Sequence, residues 1–213
     1  MSNKSIQVID LGISNLASLQ NALGRVGADW EVVTDADKIG KESSAVILPG
    51  VGAFSAGMDA LNSQGISEAL RRVAIEEKIS ILGLCLGMQL LFDGSHEYGS
   101  HEGLGLIPGW VKPLPQANKN LRVPNIGWCD VSWTEEESVL ANSSDKTDSF
   151  YFVHSLWCDC KNDKHVTGSI DFQGKTTAVV EAENIMGTQF HPEKSSNAGL
   201  ELLSRFINFA KKR

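Results

Sequence analysis

Residues 79–92 read ISILGLCLGMQLLF, and this stretch decides the fold. An apolar run of strand length leads to Gly83, and a second apolar run that can begin a helix follows Gly87. Between them lies Gly-x-Cys-x-Gly centred on Cys85, which is the nucleophile-elbow pattern with cysteine in place of serine. Glycines suit such a turn because bulkier side chains beside the nucleophile would clash with the neighbouring strand or helix. The stretch therefore predicts a buried strand, a sharp turn and a helix.

This turn would place the Cys85 sulfur at the start of a helix. Backbone N–H groups and the helix dipole favour a thiolate at that position, and the thiolate is the nucleophilic form of cysteine. A small buried cysteine in a strand-to-helix turn is the alternative interpretation. The elbow pattern alone does not separate the two.

A second motif, GTQFHPEKS at residues 187–195, contains a candidate partner for the cysteine. Pro192 biases His191 towards an extended conformation, and residues two apart in an extended segment face the same way. Glu193 is therefore predicted to lie beside His191 and to orient its imidazole while His191 acts as the general base for Cys85. A histidine at a strand end with no chemical task is the alternative, which Cys85 and Glu193 together disfavour.

The first half of the chain alternates strand and helix patterns, including a helix over residues 66–77, and this predicts a parallel sheet with helices on both faces. After Gly103, short β-like runs indicate antiparallel strands packed beside that sheet. They span residues 109–113, 127–133, 150–158, 165–172 and 176–181. The predicted fold is α/β: an open, mostly parallel sheet flanked by helices, with an antiparallel β portion in the second half. Residues 1–213 are expected to form a single domain, with ligands at the carboxyl ends of the parallel strands.

Composition narrows the class of protein. The 213 residues carry a formal net charge of −7, which argues against a nucleic-acid-binding protein. No apolar run approaches membrane-spanning length, and no signal peptide is apparent, so a cytoplasmic protein is expected. The four cysteines have neither zinc-site nor Cys-x-x-Cys spacing. Cys158 and Cys160 are predicted to share one face of a strand and to pack in the core.

Both motifs, GLCLGMQ at residues 83–89 and QFHPE at residues 189–193, resemble the signatures of class I, or triad, glutamine amidotransferases. More narrowly, the sequence is similar almost end to end to the glutaminase subunits of imidazole glycerol phosphate synthase. The resemblance implies that Cys85, His191 and Glu193 form a catalytic triad. It implies hydrolysis of glutamine to glutamate and ammonia, with no metal and no other cofactor.

The same resemblance implies an oxyanion hole made by the backbone amides of Leu86 and Val51. Leu86 follows the nucleophile, and Val51 lies between two glycines in a loop predicted at the same edge of the sheet. Without the resemblance, that loop would be interpreted as an ordinary turn. The implied glutamine-binding residues are Gly50, Gly52, Gln89, Glu97 and Ser155. A solvated loop charge is the alternative for Glu97.

A glutaminase of this length has no room for a domain that accepts the ammonia, so a partner is implied. The family pairs with a (β/α)8-barrel cyclase in a heterodimer that makes imidazole glycerol phosphate and AICAR in histidine biosynthesis. The resemblance implies four residues at the partner interface or its gate: Asn15, Trp128, Tyr151 and Lys194. Structural alternatives are a helix cap for Asn15 and a core position for Trp128.

Three positions depart from the family pattern. Asn125 and Cys129 stand where the family usually has histidine and asparagine in Pro-His-x-Gly-Trp-Asn, and Leu156 stands where it usually has tyrosine. These positions are expected to face the partner, and the triad segments are unchanged. One alternative function is therefore a paralogue that supplies ammonia for nucleotide-sugar amidination in surface-glycan synthesis. Another is an inactive regulatory subunit, which the retained triad disfavours.

Overall fold

A computed structural model describes residues 4–12, 16–115, 122–134, 138–142 and 147–213. The helices are α1 (Leu16–Arg25), α2 (Phe54–Ser63), α3 (Ile66–Ile75), α4 (Leu86–Leu90) and α5 (Ser196–Ala210). The strands are β1 (Ser5–Ile9), β2 (Trp30–Val33), β3 (Ser43–Gly50), β4 (Ser80–Cys85), β5 (Phe92–Ser95), β6 (His101–Glu102), β7 (Ile107–Pro113), β8 (Asn125–Trp133), β9 (Thr147–His154), β10 (Leu156–Cys160), β11 (Val166–Asp171), β12 (Lys175–Ala182) and β13 (Ile185–Thr188).

Nine strands form one sheet in the order β2-β1-β3-β4-β13-β12-β11-β8-β9. The pairings from β2 to β13 are parallel, and those from β13 to β9 are antiparallel. The predicted α/β fold class is confirmed, with one difference in arrangement. The antiparallel strands β12, β11, β8 and β9 continue the parallel sheet, because β13 is hydrogen-bonded to both β4 and β12, whereas the antiparallel pair β7 and β10 packs against it as predicted.

A smaller sheet in the order β10-β7-β5-β6 accounts for the remaining strands. The prediction of one strand over residues 150–158 was wrong, because the chain leaves the large sheet at His154 and enters the small sheet at Leu156. Ser155 forms the exposed corner between them. Buried and less buried residues alternate in both strands, so the local pattern contains no sign of the change of sheet.

Helices cover both faces of the parallel strands, as predicted. Because side chains alternate along a strand, Ala45 and Ile47 pack with α1 and α5, whereas Val46 and Leu48 pack with α2, α3 and the small sheet. Cys158 and Cys160 are buried in the second of these clusters, so their predicted core position is confirmed. Among the described residues, no helix is both long and apolar enough to cross a membrane.

Strand register brings three segments to one edge of the sheet. Gly50, at the end of β3, pairs directly with Cys85, at the end of β4. On the other side of β4, Thr188 of β13 pairs with Leu84. Because these strands are parallel, the loop after β3 and the segment after β13 both emerge beside Cys85.

Candidate active site

The elbow at Cys85 has the strained backbone that its glycines predict. Cys85 has φ +53° and ψ −110°, a conformation that side chains other than glycine rarely adopt. A Cβ on Gly87 would lie 1.7 Å from the Leu48 carbonyl oxygen, and a Cβ on Gly83 would lie 2.6 Å from that of Gly87. Neither position tolerates a side chain, so both glycines are required for the turn. The helix that follows, α4, is only five residues long.

His191 and Glu193 are in contact, as predicted. Nδ1 of His191 lies 2.8 Å from Oε1 of Glu193, and the two side chains are 5% and 7% exposed. The reason differs from the prediction. His191 is extended, as its following proline requires, but Pro192–Lys194 form one turn of 3-10 helix that brings the carboxylate back to the ring. Because the carboxylate accepts, Nδ1 carries the proton of this hydrogen bond, and Nε2 has no hydrogen-bond partner among the described residues.

Opposing effects act on the imidazole of His191. Burial by itself lowers its pKa, but the nearby Cys85 and the hydrogen bond and charge of Glu193 outweigh burial and raise the pKa from 6.5 to about 9. The ring is therefore protonated at neutral pH. An imidazolium beside Cys85 favours a negatively charged sulfur, which is the reactive form of the residue.

A cavity of about 350 Å³ opens onto this pair, a size that suits a small molecule. Its lining consists of Val51, Gly52, Cys85, Leu86, Gln89, Glu97, Pro124, Val153, His154, Ser155, Leu156 and His191. The structure thus brings together at one cavity both predicted oxyanion residues and four of the five predicted substrate residues. Gly50 instead lines a smaller crevice with Val51, His191, Glu193 and Lys194.

Glu97 is engaged and not simply solvated, so the alternative of a free loop charge was wrong. Its Oε2 accepts a hydrogen bond of 2.6 Å from the backbone N–H of Phe54, the first residue of α2. Ala53 precedes that helix and provides no side-chain cap, so Glu97 caps it from a distant loop. This contact ties the loop of Glu97 to the segment that contains Val51 and Gly52.

The four predicted partner residues have different environments. Trp128 is 53% exposed and contacts Tyr151 edge-on with ring centroids 6.1 Å apart, so the alternative that Trp128 is a core residue was wrong. Ile126, two residues earlier on β8, is also exposed. Lys194 is exposed beside the crevice that Gly50 and Val51 line. Asn15 lies outside the described residues.

The three departures from the family pattern form one connected group around His154. Nδ1 of His154 lies 2.7 Å from the Leu156 carbonyl oxygen, and Nε2 lies 3.0 Å from Nδ2 of Asn125. A carbonyl can only accept, so Nδ1 carries the proton and Nε2 accepts from the amide. The side chains of Asn125 and Cys129 are also hydrogen-bonded to each other. Burial lowers the pKa of His154 to about 4, so this ring is neutral.

Two further residues contact the site and were missed from the sequence. The buried side chain of Gln189 lies between Cys85 and Gln89. The buried Ser195 hydroxyl donates to the His191 carbonyl over 2.6 Å and accepts from the Tyr151 N–H over 3.0 Å. A usable signal existed for Gln189, which stands two residues before His191 just as Glu193 stands two after. No comparable signal marks Ser195.

Comparison with known proteins places this geometry in a family. The family described as glutamine amidotransferase class-I matches residues 7–209. Imidazole glycerol phosphate synthase subunit HisH 2 of Nitrobacter winogradskyi is 38% identical over 208 residues, which cover 96% of this chain and 98% of that protein. The HisH subunit of Moorella thermoacetica is 42% identical over 203 residues, which cover 95% of this chain and 94% of that protein.

Solved structures agree at the level of the fold. A crystal structure of a glutamine amidotransferase has a TM-score of 0.75 at 18% identity and covers 97% of this chain and 98% of its own. The structure of PurLQS from Thermotoga maritima has a TM-score of 0.73 at 19% identity, with 97% and 99% covered. Matched by sequence over nearly its whole length and by fold, this chain belongs to the class I glutamine amidotransferase family.

Proposed function

We propose that the chain is the glutaminase subunit of imidazole glycerol phosphate synthase. The observation that carries this proposal is the placement of His191, held by Glu193, beside the strained Cys85 at one cavity. The names of the full-length relatives point to the same enzyme. Residues 1–213 act as one glutamine amidotransferase domain in this proposal, since the family match spans nearly all of them.

In the proposed reaction, Cys85 is the nucleophile and His191 transfers protons. His191 takes the proton of the Cys85 thiol, and the sulfur attacks the side-chain amide carbon of glutamine. His191 then protonates the departing nitrogen, so ammonia leaves and a thioester remains on Cys85. A water molecule, deprotonated by His191, hydrolyses the thioester to glutamate. Glu193 keeps the imidazole oriented and stabilises its charged form.

The negative charge on the substrate oxygen in each tetrahedral intermediate requires donors. The backbone N–H of Leu86 is the first, since this residue opens α4 directly after the nucleophile. The N–H of Val51 is the second candidate, because the Gly50–Cys85 pairing places its loop at the same edge. One such donor is worth roughly 3–4 kcal/mol of barrier in acyl transfer.

The amino-acid end of glutamine carries an ammonium and a carboxylate, which need partners of both signs. Glu97 provides the negative charge at the cavity, and Gln89 provides amide groups there. Ser155 stands at the corner between the two sheets and also lines the cavity. We assign Gly50 and Gly52 to the substrate loop, where the lack of side chains lets glutamine approach the backbone.

The ammonia is used by a partner, for which we propose the (β/α)8-barrel cyclase of histidine biosynthesis. An aromatic and aliphatic face on β8 and β9, formed by the exposed Ile126 and Trp128 and the half-buried Tyr151, adjoins the cavity wall at Val153. We assign this face, with Lys194 and Asn15, to the interface or gate of a heterodimer in the cytoplasm. Exposed aromatic residues are typical of protein interfaces.

Two alternatives are less well supported. A paralogue for nucleotide-sugar amidination would retain the same cavity, but the relatives described above are subunits of imidazole glycerol phosphate synthase. An inactive regulatory subunit would have no need for the contact between His191 and Glu193 or for the strained Cys85.

A coupled assay tests the proposal. The chain is incubated with glutamine, the barrel cyclase and its ribonucleotide substrate, and glutamate and imidazole glycerol phosphate are both measured. We expect equal amounts of the two products and no turnover of glutamine by the Cys85→Ala variant. Glutamate without imidazole glycerol phosphate would favour the paralogue, and no glutamate would favour the inactive subunit. Retained hydrolysis in Cys85→Ala would refute the choice of nucleophile.

A further inference from the structure

Gln189 is a fully buried polar side chain whose role the proposed reaction leaves open. It is 0% exposed, and it stands in the short segment between β13 and His191. Its Nε2 donates to Sγ of Cys85 over 3.8 Å, and its Oε1 accepts from Nε2 of Gln89 over 3.0 Å. Both ends of one buried amide are thus engaged with residues that line the cavity.

The chemistry of sulfur fixes the orientation of this amide. The sulfur of Cys85 accepts a hydrogen bond from Gln189, so the NH₂ end of that amide faces Cys85. The carbonyl end of Gln189 then faces Gln89, and only the NH₂ group of Gln89 can donate a hydrogen bond to it. Through Gln189, the position of the nucleophile is therefore linked to the orientation of Gln89, which is a substrate-binding candidate.

The fold does not require an amide here. The backbone N–H of Gln189 bonds to the Ala178 carbonyl over 2.8 Å whatever the side chain is. Burying an amide is unfavourable unless its hydrogen bonds are made, and an apolar side chain of the same length would fill the position without that cost. Phe190, the next residue, is also fully buried and apolar. A glutamine at this position therefore indicates a task at the site.

We propose that Gln189 is a positioning residue that holds the Cys85 sulfur in its attacking orientation and ties the Gln89 amide to it. This inference rests on the proposed function, because it takes Cys85 as the nucleophile and Gln89 as a ligand for glutamine. Loss of the amide removes the donor to the sulfur, which then keeps only its 4.0 Å hydrogen bond to the Val153 carbonyl among the described residues, and it leaves Gln89 without its partner. Glutamine then meets a misaligned nucleophile in a cavity of unchanged size.

The test replaces Gln189 with methionine, which has nearly the same length and no donor. Alkylation of Cys85 by iodoacetamide is followed by peptide mass spectrometry, so the measurement does not depend on glutamine turnover. We expect alkylation roughly tenfold slower and a similar fall in kcat, since a hydrogen bond to a charged group has an effect of this order. KM for glutamine should rise by a smaller factor.

Matched controls separate positioning from general packing. Thr188→Val removes another fully buried polar group from the same segment, one whose hydroxyl donates to the Phe190 carbonyl. Its Cys85 should alkylate at the wild-type rate. Cys129, which is half-buried, gives an internal reference in every sample. In the Gln189→Met background, Gln89→Ala should cause no further slowing of alkylation.

If Gln189→Met does not fold, Gln189→Asn keeps a buried amide but withdraws it from the sulfur by one methylene, and the same slowing is expected. Wild-type alkylation and kcat in a folded variant would overturn the proposal, as would equal slowing in Thr188→Val. Failure of the proposed function gives a different result: the wild-type chain would not hydrolyse glutamine with the cyclase, whatever the alkylation rates.

Discussion

Two buried histidines line the same cavity, and their pKa values are shifted in opposite directions. His191 is 4% exposed and His154 is 5% exposed, so burial is nearly equal. The pKa of His191 is raised to about 9, whereas that of His154 is lowered to about 4. The difference lies in the partners: a carboxylate and a thiol surround the first ring, and a backbone carbonyl and an amide surround the second.

The comparison shows that burial alone does not decide the charge of a histidine. Desolvation lowers the pKa of both rings, and only the partners of His191, which are Glu193 and Cys85, reverse it. The charged ring of His191 can give a proton and then take one back, whereas the neutral ring of His154 acts as a fixed donor and acceptor. We therefore expect His191 to control the chemistry and His154 to control the shape of the cavity wall.

The largest effect should come from exchanging each histidine for glutamine. His191→Gln removes the proton carrier, and kcat should fall by about 10⁴-fold or more, as for other triads. His154→Gln keeps a neutral side chain with a donor and an acceptor, so kcat should stay within about tenfold. Turnover of glutamine in the complex with the cyclase measures both. Equal losses in the two variants would break the proposed division of roles.

Replacing Glu193 with glutamine should have the next largest effect. The exchange keeps the shape but removes the charge, so the pKa of His191 should fall from about 9 towards its ordinary value. We expect kcat to drop by about 10³-fold, because an amide can also select the wrong ring tautomer. NMR titration of the ring in both proteins measures the pKa directly. An unchanged titration would mean that Glu193 does not cause the difference between the two histidines.

Stability should vary with pH in opposite directions on account of the two rings. His154 binds its proton less well in the folded chain than in the unfolded one, so stability decreases as pH falls from about 6.5 to about 4. His191 holds its proton more tightly when folded, so its contribution is full below 6.5 and is lost as pH rises to about 9.

Urea unfolding across this range measures both windows. Each shift corresponds to at most about 3 kcal/mol. In a plot of the free energy of unfolding against pH, His154→Gln should remove the decrease on the acid side only. His191→Gln should remove the decrease on the alkaline side only. A single variant that flattens both sides would show that the rings do not titrate separately.

How well the sequence predicted the molecule also differs between these two regions. The elbow and the contact of His191 with Glu193 were predicted because both are local in the sequence, although a 3-10 turn and not an extended segment makes the second contact. The surroundings of His154 depend on a corner at Ser155, where one apolar strand pattern spans two sheets. That change of sheet is a tertiary event and leaves no local periodicity.

Helix α2 was missed for a similar reason. Its sequence, FSAGMDALNS, contains a glycine and weak helix formers, and no capping side chain precedes it. The cap is the carboxylate of Glu97, which stands 43 residues further along the chain. Such a contact exists only after the loops have been brought together by the fold, so the sequence around residue 54 could not indicate it.

The smallest effect should come from Asn125→Ala, which sharpens the comparison at the second histidine. The variant removes the donor to Nε2 of His154 and leaves that nitrogen buried without its partner. We expect the free energy of unfolding to fall by about 1–2 kcal/mol and kcat to change by less than about threefold. Cys129→Ala, which removes only the weak contacts of its thiol with Asn125, should lower the free energy of unfolding by less.

In the His154→Gln background, Asn125→Ala should lose part of its effect, because the two side chains are in direct contact. Full additivity would show that Asn125 does not act through His154, and a large loss of kcat would show that Asn125 takes part in the chemistry.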